Sequence, residues 1–166
     1  MIVSSFNIRG IGGALKRRRI RDMVRVQKID FLALQETKLE IIPDSVCYKI
    51  WGSQDCEWVY LPSVGRSGGI LSIWRKSNNS LIFSFKGEGF VGVCLEWGVT
   101  KTICFVVNVY SKCDIVSKRR LWSILTNCKR GLGDGRWCVV GDFNAVRRTE
   151  ERVGVNTVVG GLSQLN

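Results

Sequence analysis

The sequence contains no histidine among its 166 residues, and this absence excludes several kinds of chemistry. A Ser-His or Cys-His nucleophile cannot form within the chain. A zinc site with mixed Cys and His ligands is excluded as well, and no two of the seven cysteines are spaced as C-x-x-C. Acid–base or metal chemistry must therefore come from Asp, Glu, Asn, Tyr and Lys.

Long apolar runs are also missing, since no segment approaches the roughly 18 apolar residues that a membrane-spanning helix needs. Arg9 interrupts the N-terminal segment before the core of a signal peptide could form. The odd number of cysteines, several of them inside apolar runs, is typical of reduced and mostly buried thiols. We therefore expect an intracellular protein, nuclear or cytoplasmic and not secreted, without a membrane partner.

Acidic residues are few, because 14 Asp and Glu stand against 25 Lys and Arg, which gives a formal net charge of +11. An excess of this size indicates a polyanionic partner such as nucleic acid, or else it only keeps the protein in solution. Apolar residues make up 45% of the sequence and charged residues 23%, which is a globular composition. We expect a single domain over residues 1–166; the oligomeric state stays open.

The N-terminal residues have the pattern of a strand, a helix and a second strand. Apolar residues dominate at Ile2–Ile8 and Ile29–Gln35, and residues 14–27 place apolar side chains at helical spacing. Such a unit calls for parallel strands joined by a right-handed crossover. Both strands finish in polar residues, Asn7 and Glu36, so these side chains should meet at one edge of the sheet. Alternatively, Glu36 simply ends its strand in solvent.

The middle of the chain alternates short apolar runs with turn residues, which favours antiparallel hairpins. The runs fall at residues 57–61, 69–74, 80–86, 89–97 and 102–110, after a mixed segment at 39–56 that we expect to form loop and short helix. A further helix is predicted from an N-cap at Ser117 to about Lys129. No element is predicted for residues 145–166.

Residues 136–144 combine a predicted strand with two polar residues. An apolar run ends at Gly141 and is followed by Asp142 and Asn144. Side chains two residues apart in an extended segment point the same way, so this pair should project together from the strand end. The alternative is a plain β-turn, because Gly, Asp and Asn all favour turns.

Four predicted strand ends thus carry polar groups. These are Asn7, Glu36, Asn108 with Tyr110, and Asp142 with Asn144. Carboxylates with amides and a phenol, in a strongly basic protein, fit metal-assisted cleavage of a phosphodiester. Carboxylate oxygens bind Mg²⁺, and a second carboxylate can orient or deprotonate the attacking water. The amides and the phenol can donate hydrogen bonds to phosphate oxygens.

At these positions the sequence resembles the endonuclease/exonuclease/phosphatase superfamily. The matching segments are Ser5–Gly10, Leu34–Lys38, Asn108–Ser111 and Gly141–Asn144, in the family's order, and the resemblance extends from Met1 to about Arg152. Arg66–Gly69 and the residues after Asn144 look most like the endonuclease domain of plant non-LTR (LINE-type) retrotransposons. The resemblance implies a four-layer α/β sandwich of the DNase I-like type. It implies Mg²⁺-dependent nicking of DNA, with Mn²⁺ as a substitute, beside a reverse transcriptase domain if the frame continues.

The resemblance also assigns roles to individual residues. Glu36 would be the principal metal ligand with Asn7 beside it, and Lys38 would support the acidic cluster. On the phosphate side the matching residues are Tyr110, which would contact the scissile phosphate, Asp142, which would position or activate the water, and Asn144, which would face the phosphate.

The sequence departs from the family pattern in two places. Arg9 occupies a position where repair-type AP endonucleases carry an acid, which the retrotransposon branch commonly lacks too. The family closes with a late aspartate and a Ser-Asp-His segment, and no such segment occurs here. We therefore expect a domain that is incomplete at its C-terminus, lacks the final Asp and the catalytic His, and has little or no activity.

A basic nucleic-acid-binding module without chemistry is an alternative function. The basic residues available to it are Lys16, Arg17, Arg18, Arg19, Arg21 and Arg25, together with Arg9, Arg147 and Arg148. The run Lys16–Arg19 could equally be a solvated helix face. A phosphatase or lipid phosphodiesterase of the same superfamily, or a degenerate sequence that does not fold, also stays open.

Overall fold

The computed structural model describes residues 1–65 and 67–144. The elements in these ranges are β1 Val3–Asn7, α1 Ala14–Val26, β2 Phe31–Gln35, α2 Asp44–Trp51, β3 Cys56–Val64, β4 Ser67–Arg75, β5 Asn79–Gly87, β6 Phe90–Trp97, β7 Thr102–Tyr110, α3 Ile115–Gly131 and β8 Arg136–Asp142. Every predicted strand and helix is confirmed in kind. The mixed segment at 39–56 contains α2.

The strands form two mixed sheets, and this arrangement differs from a simple run of hairpins. The first sheet has the order β1-β2-β4-β3 and the second has the order β5-β6-β7-β8. The β1/β2 and β7/β8 pairs are parallel, whereas the other pairs are antiparallel. Among the described residues, β8 is an edge strand of the second sheet, and none of its residues is fully buried.

Three apolar clusters separate four layers. On the outer face of the first sheet, Ile20 and Val24 of α1 and Ile50 of α2 pack with Leu32 and Ile73. The cluster between the sheets includes Phe31, Ala33, Trp74, Val93, Leu95 and Val106. The third cluster joins Val107, Val109, Leu121 and Leu125, and so lies between the second sheet and α3. Helices cover both outer faces, and the predicted four-layer α/β sandwich is confirmed.

The start of α3 differs from the prediction. Asp114 is the N-cap, and its Oδ1 accepts a hydrogen bond from the backbone N–H of Ser117 at 2.8 Å. Ser117 was expected to be the cap, but it lies inside the first turn. The aspartate wins because a carboxylate at this position also interacts favourably with the helix dipole. The hydrogen bond from Ser117 lowers the pKa of the Asp114 carboxyl.

All seven cysteines in the described ranges are free thiols. Four of them are buried, at positions 47, 56, 94 and 104, while Cys113 is exposed. Burial raises the pKa of Cys47 to about 12 and that of Cys56 to about 11. These two thiols therefore stay protonated at neutral pH and act as small apolar side chains.

None of the helices in the described part of the chain is long and apolar enough to cross a membrane.

A buried amide network connects the two sheets behind the strand ends. The Asn108 Oδ1 atom accepts a hydrogen bond from Gln35 Nε2 at 2.6 Å. Its Nδ2 atom donates to the carbonyl of Leu71 at 3.1 Å and to Ser72 Oγ at 3.2 Å. We had expected Asn108 to join Tyr110 among the polar groups at the strand ends. It does not, because Asn108 is fully buried. It fixes β7 against β2 and β4.

We predict that Asn108→Ala will lower the free energy of unfolding by about 3 kcal/mol, because it leaves buried partners without a hydrogen bond and opens a cavity. Urea denaturation followed by circular dichroism measures this change. Asn78→Ala, at an exposed position, is the matched control and should change stability by less than about 0.5 kcal/mol. Equal stability of the two variants would show that the amide network does not stabilise the fold.

Candidate functional site

Four strand ends meet at one edge of the sandwich. In the first sheet Asn7 lies opposite Gln35, the residue before Glu36. In the second sheet Tyr110 lies opposite Asp142. Because both pairs are parallel, their carboxyl ends point to the same edge, where open α/β folds place their chemistry. The predicted convergence of these strand ends is confirmed.

The Asn7 amide joins the two carboxylates. Its Nδ2 atom donates to Glu36 Oε1 at 2.8 Å and to Asp142 Oδ2 at 2.7 Å. Its Oδ1 atom accepts a hydrogen bond from the backbone N–H of Arg9 at 3.2 Å. Asn7 therefore holds two acids from different sheets against one nitrogen atom.

Tyr110 contacts the same carboxylate from the other side. The phenol donates a hydrogen bond to Glu36 Oε1 at 3.0 Å. Burial raises the pKa of Tyr110 to about 12, and the hydrogen bond to Glu36 and the negative charges of Glu36 and Asp142 add to the effect. The phenol is therefore a proton donor at all physiological pH values.

A tight turn follows β8 and orients Asp142. Gly141 has φ +142°, and a Cβ atom there would overlap the backbone of Val109. The Asn144 N–H donates to Asp142 Oδ1 at 2.9 Å, and its side-chain Nδ2 donates to the Ser111 carbonyl at 2.6 Å. The turn and the site thus coexist. Asn144 has φ +46°, so the two side chains do not point the same way as they would in an extended segment.

The remaining predicted residues lie around this centre. Lys38 and Arg9 are both exposed, and neither forms an ion pair with a described acid. The role of Lys38 in supporting the acidic cluster therefore stays a prediction. Arg147 and Arg148 lie outside the described residues.

Two lysines that hold the site loops were not predicted as site residues. Lys16 Nζ donates to the carbonyls of Ile8 and Gly10 at 2.6 and 2.9 Å, and so fastens the loop after β1 to α1. Lys118 Nζ donates to the carbonyl of Asn144 at 2.5 Å. Both lysines lie in the first turn of a helix, where a positive charge is unfavourable. That conflict in the sequence was the signal that could have found them.

The two carboxylates form a site that fits a hard divalent cation. Neither Glu36 nor Asp142 makes an ion pair with a described Lys or Arg, although the chain carries a net charge of +11. Glu36 Oε2 accepts no hydrogen bond from a described residue. Oxygen ligands of this kind suit Mg²⁺. Within the described ranges no third Asp, Glu, Cys or His joins the pair, so Mg²⁺ would keep several of its waters.

A groove of about 780 Å³ opens beside Tyr110 and Asn144. It runs between the β3–β4 turn and the start of α3, and its apolar walls include Leu61, Val116 and Leu121. At its rim Glu88 pairs with Lys112 at 2.5 Å and with Arg120 at 3.9 Å, which leaves one positive charge in excess.

A layered α/β sandwich with a carboxylate pair at the carboxyl ends of its strands is typical of one class of hydrolytic enzymes. The chain matches the Endonuclease/Exonuclease/phosphatase family over residues 4–156, and it belongs to that family. Enzymes of the family generally use divalent metal ions. Among curated proteins none matches the sequence.

Solved structures with this fold include enzymes of several kinds. An AP endonuclease (LMAP) from Leishmania major has 17% identity and a TM-score of 0.65, covering 93% of this chain and 58% of that chain. A humanized TDP2 from D. rerio has 14% identity and a TM-score of 0.63, covering 87% of this chain and 62% of that chain. A mannosyl-6-phosphatase from Bacteroides thetaiotaomicron has 12% identity and a TM-score of 0.65, covering 86% of this chain and 64% of that chain. The chain thus spans about three fifths of the length of these proteins.

We predict that Tyr110→Phe will flatten the alkaline loss of stability. The pKa of Tyr110 rises from 10.0 to about 12 on folding, so folding holds this proton more tightly. Its contribution to stability is complete below pH 10 and is lost as the pH approaches 12. Urea denaturation at several pH values measures the slope.

The Glu36→Gln variant is the control, because it keeps the phenol but removes the charge that helps to raise its pKa. Its stability should fall with a slope between those of the parent and Tyr110→Phe. Identical slopes of stability against pH for the parent and Tyr110→Phe would show that the site does not affect the phenol.

Proposed function

We propose that this protein is a Mg²⁺-dependent phosphodiesterase that nicks DNA, of the kind found in plant non-LTR (LINE-type) retrotransposons. The observation that carries the proposal is the Asn7 amide, which holds Glu36 and Asp142 together while neither carboxylate forms an ion pair with a Lys or Arg of the described ranges. Mn²⁺ would substitute for Mg²⁺. A reverse transcriptase domain is the expected companion of such a nuclease, and DNA is its substrate.

Each site residue then has a task that follows from its contacts. Glu36 would bind the metal ion through Oε2, and Asn7 would keep the two carboxylates at a fixed separation. A Mg²⁺ ion held there would supply positive charge to stabilise the negative charge that develops on the phosphoryl oxygens. Asp142 would orient the attacking water and accept its proton as the oxygen bonds to phosphorus and the ester bond to the leaving group breaks. Tyr110, which stays protonated, would donate to a non-bridging phosphate oxygen.

DNA is the favoured substrate because of charge and motif. The net charge of +11 suits a polyanion, and the groove beside Tyr110 has space for the nucleotide next to the scissile phosphate. The fold itself does not distinguish substrates, since the AP endonuclease and the mannosyl-6-phosphatase are equally similar at a TM-score of 0.65. A phosphatase or lipid phosphodiesterase is therefore an outcome that the assay must include.

The absence of imidazole limits the expected rate. No histidine occurs in the chain, so a site formed by these residues lacks the cationic donor that the family resemblance implies. Loss of one preorganised donor typically slows catalysis by roughly 10²- to 10³-fold. For these 166 residues by themselves we therefore propose weak activity, which the carboxylate pair and the metal would sustain.

We predict that Glu36→Gln and Asp142→Asn will each reduce Mg²⁺-dependent nicking of supercoiled plasmid by at least about 100-fold, because each removes a charged group from the reaction centre. Gel analysis of nicked plasmid with Mg²⁺, Mn²⁺ or EDTA measures it. Glu40→Gln and Asp134→Asn remove acids at exposed positions and should keep the parent rate.

Two further substrates test the class of reaction. Inositol phosphates and sphingomyelin are assayed beside plasmid, and hydrolysis of either in preference to DNA would replace the nuclease proposal. Where nicking by the parent lies below detection, the rise of Tm with Mn²⁺ takes its place as readout. Plasmid nicking that persists in both carboxylate variants would remove Glu36 and Asp142 from the active site.

A non-catalytic nucleic-acid-binding module is a second candidate, and the solvent face of α1 favours it. Arg18, Arg19 and Arg25 are exposed there. Arg18 and Arg25 share Asp22, at 4.0 and 3.9 Å. Lys16 and Arg17, by contrast, donate to loop carbonyls, so the basic run is only partly available to a ligand.

We predict that Arg19→Gln will reduce the slope of log K against log salt for duplex DNA by about 0.9, the value for one phosphate contact in B-DNA. Fluorescence anisotropy at several salt concentrations measures the slope. Lys101→Gln changes an exposed basic residue in the β6–β7 turn of the other sheet and should leave it unchanged. Binding that is indifferent to salt in the parent would exclude both nucleic-acid functions.

A further inference from the structure

The loop that carries Glu36 has an unusual backbone. Glu36 has φ +55° and Lys38 has φ +57°, so two residues with side chains adopt the left-handed conformation on either side of Thr37. Such residues are costly, and they persist only where the surrounding structure fixes them. The orientation of the Glu36 carboxylate therefore depends on what holds this loop.

Backbone hydrogen bonds hold the loop from both sides. On one side the N–H groups of Gly10 and Ile11 donate to the carbonyls of Glu36 and Thr37, at 2.7 and 3.1 Å. On the other side the Thr37 N–H donates to the carbonyl of Gly69 at 3.1 Å, and the Lys38 N–H donates to that of Gly68 at 3.1 Å. The start of β4 thus serves as a template for the loop.

Gly69 meets this loop at a point where there is no room for a side chain. It has φ +86°, and a Cβ atom there would overlap Thr37 Oγ1 and lie 3.3 Å from the backbone nitrogen of Lys38. Thr37 is fully buried. The Thr37 side chain therefore fills the space that Gly69 leaves.

The Thr37 hydroxyl has no hydrogen-bond partner among the described residues. A buried hydroxyl without a partner contributes no polar stabilisation. Its contribution here is its shape, which packs against the bare Cα of Gly69. The contact between these two residues is steric.

We propose that Gly69 and Thr37 are positioning residues for Glu36: their close contact sets the turn that aims the carboxylate at Asn7 and Tyr110. Among the described residues the hydrogen bonds to the Glu36 carboxylate come from Asn7 and Tyr110, and neither Gly69 nor Thr37 donates one. The proposal rests on the proposed function only in so far as Glu36 is a metal ligand. The geometry of the loop can be tested without metal.

The adjacent glycine provides a matched control. Gly68 also has a positive φ, +75°, and its carbonyl also accepts a hydrogen bond from the loop. A Cβ atom at Gly68, however, would meet nothing within 4 Å. Gly68→Ala and Gly69→Ala therefore share the backbone penalty of alanine at positive φ. They differ mainly in the collision with Thr37, since the approach of the added Cβ to the Lys38 nitrogen, at 3.3 Å, is much less close.

We expect Gly69→Ala to weaken Mn²⁺ binding by roughly tenfold or more, the usual effect of disturbing the residues behind a metal ligand. Gly68→Ala should stay within about twofold of the parent. Electron paramagnetic resonance of free Mn²⁺ measures the affinity, and circular dichroism checks that each variant is folded. Equal affinity in the two glycine variants would overturn the proposal.

A compensating substitution isolates the contact. Thr37→Ala removes the colliding atom, so Gly69→Ala with Thr37→Ala should recover the affinity of Gly68→Ala. Thr37→Val puts a methyl group in place of the hydroxyl, so Gly69→Ala with Thr37→Val should stay defective. Failure of the alanine pair to recover, or recovery by the valine pair, would show that the steric contact is not the cause.

A readout without metal separates this inference from the proposed function. The side-chain amide of Asn7 binds Glu36 directly, so its ¹H–¹⁵N resonances report the position of the carboxylate. We expect them to shift in Gly69→Ala, to stay in place in Gly68→Ala, and to return when Thr37→Ala is added. Unchanged Mn²⁺ affinity in Glu36→Gln would reject the metal site alone, whereas an Asn7 signal that ignores Gly69→Ala would reject the positioning role.

Discussion

The hydrogen bonds from one amide nitrogen, Asn7 Nδ2, to Glu36 and Asp142 are the interaction on which the site depends. Asn7 and Glu36 lie at strand ends of the first sheet, whereas Asp142 lies at a strand end of the second sheet. The amide therefore joins the two halves of the sandwich as well as two like charges. A neutral donor can hold two carboxylates together but cannot cancel their repulsion. Among the described residues neither carboxylate forms an ion pair with a Lys or Arg, so the pair keeps the negative charge that a bound cation would neutralise.

The rest of the structure serves this arrangement by fixing the two sheets relative to each other. The apolar cluster around Phe31 and Trp74 sets their separation. The Asn108 amide, bonded to Gln35 and to β4, prevents sliding, because any shift would leave buried polar atoms without partners. Gln35 is the residue before Glu36, so the network lies directly behind the site. Satisfied polar groups in the core thus contribute to precision at the exposed edge, in addition to the steric contact between Gly69 and Thr37.

Much of this could be predicted from sequence, because the signals were local. Strand ends at Asn7, Glu36, Tyr110 and Asp142 follow from apolar runs and chain direction, and parallel pairing then brings them to one edge. The site motifs gave the family, which is confirmed. The finer retrotransposon assignment stays a proposal. What could not be predicted depends on residues that are distant in the sequence. The sequence around Asn108 has the same pattern whether its side chain points outward or lies between the sheets. The partner Gln35 decides between these two orientations.

The bond between Asn7 and Asp142 spans 135 positions of sequence, and this separation has a consequence for folding. Contacts between distant residues form late, since the entropy of closing the long loop must be overcome first. As the chain is synthesised, β1 and β2 can pair long before β8 exists, but the second carboxylate cannot arrive until α3 has crossed over and both sheets have docked. The carboxylate pair of the proposed metal site therefore exists only in the fully assembled sandwich, and nascent or partly folded chains do not have it.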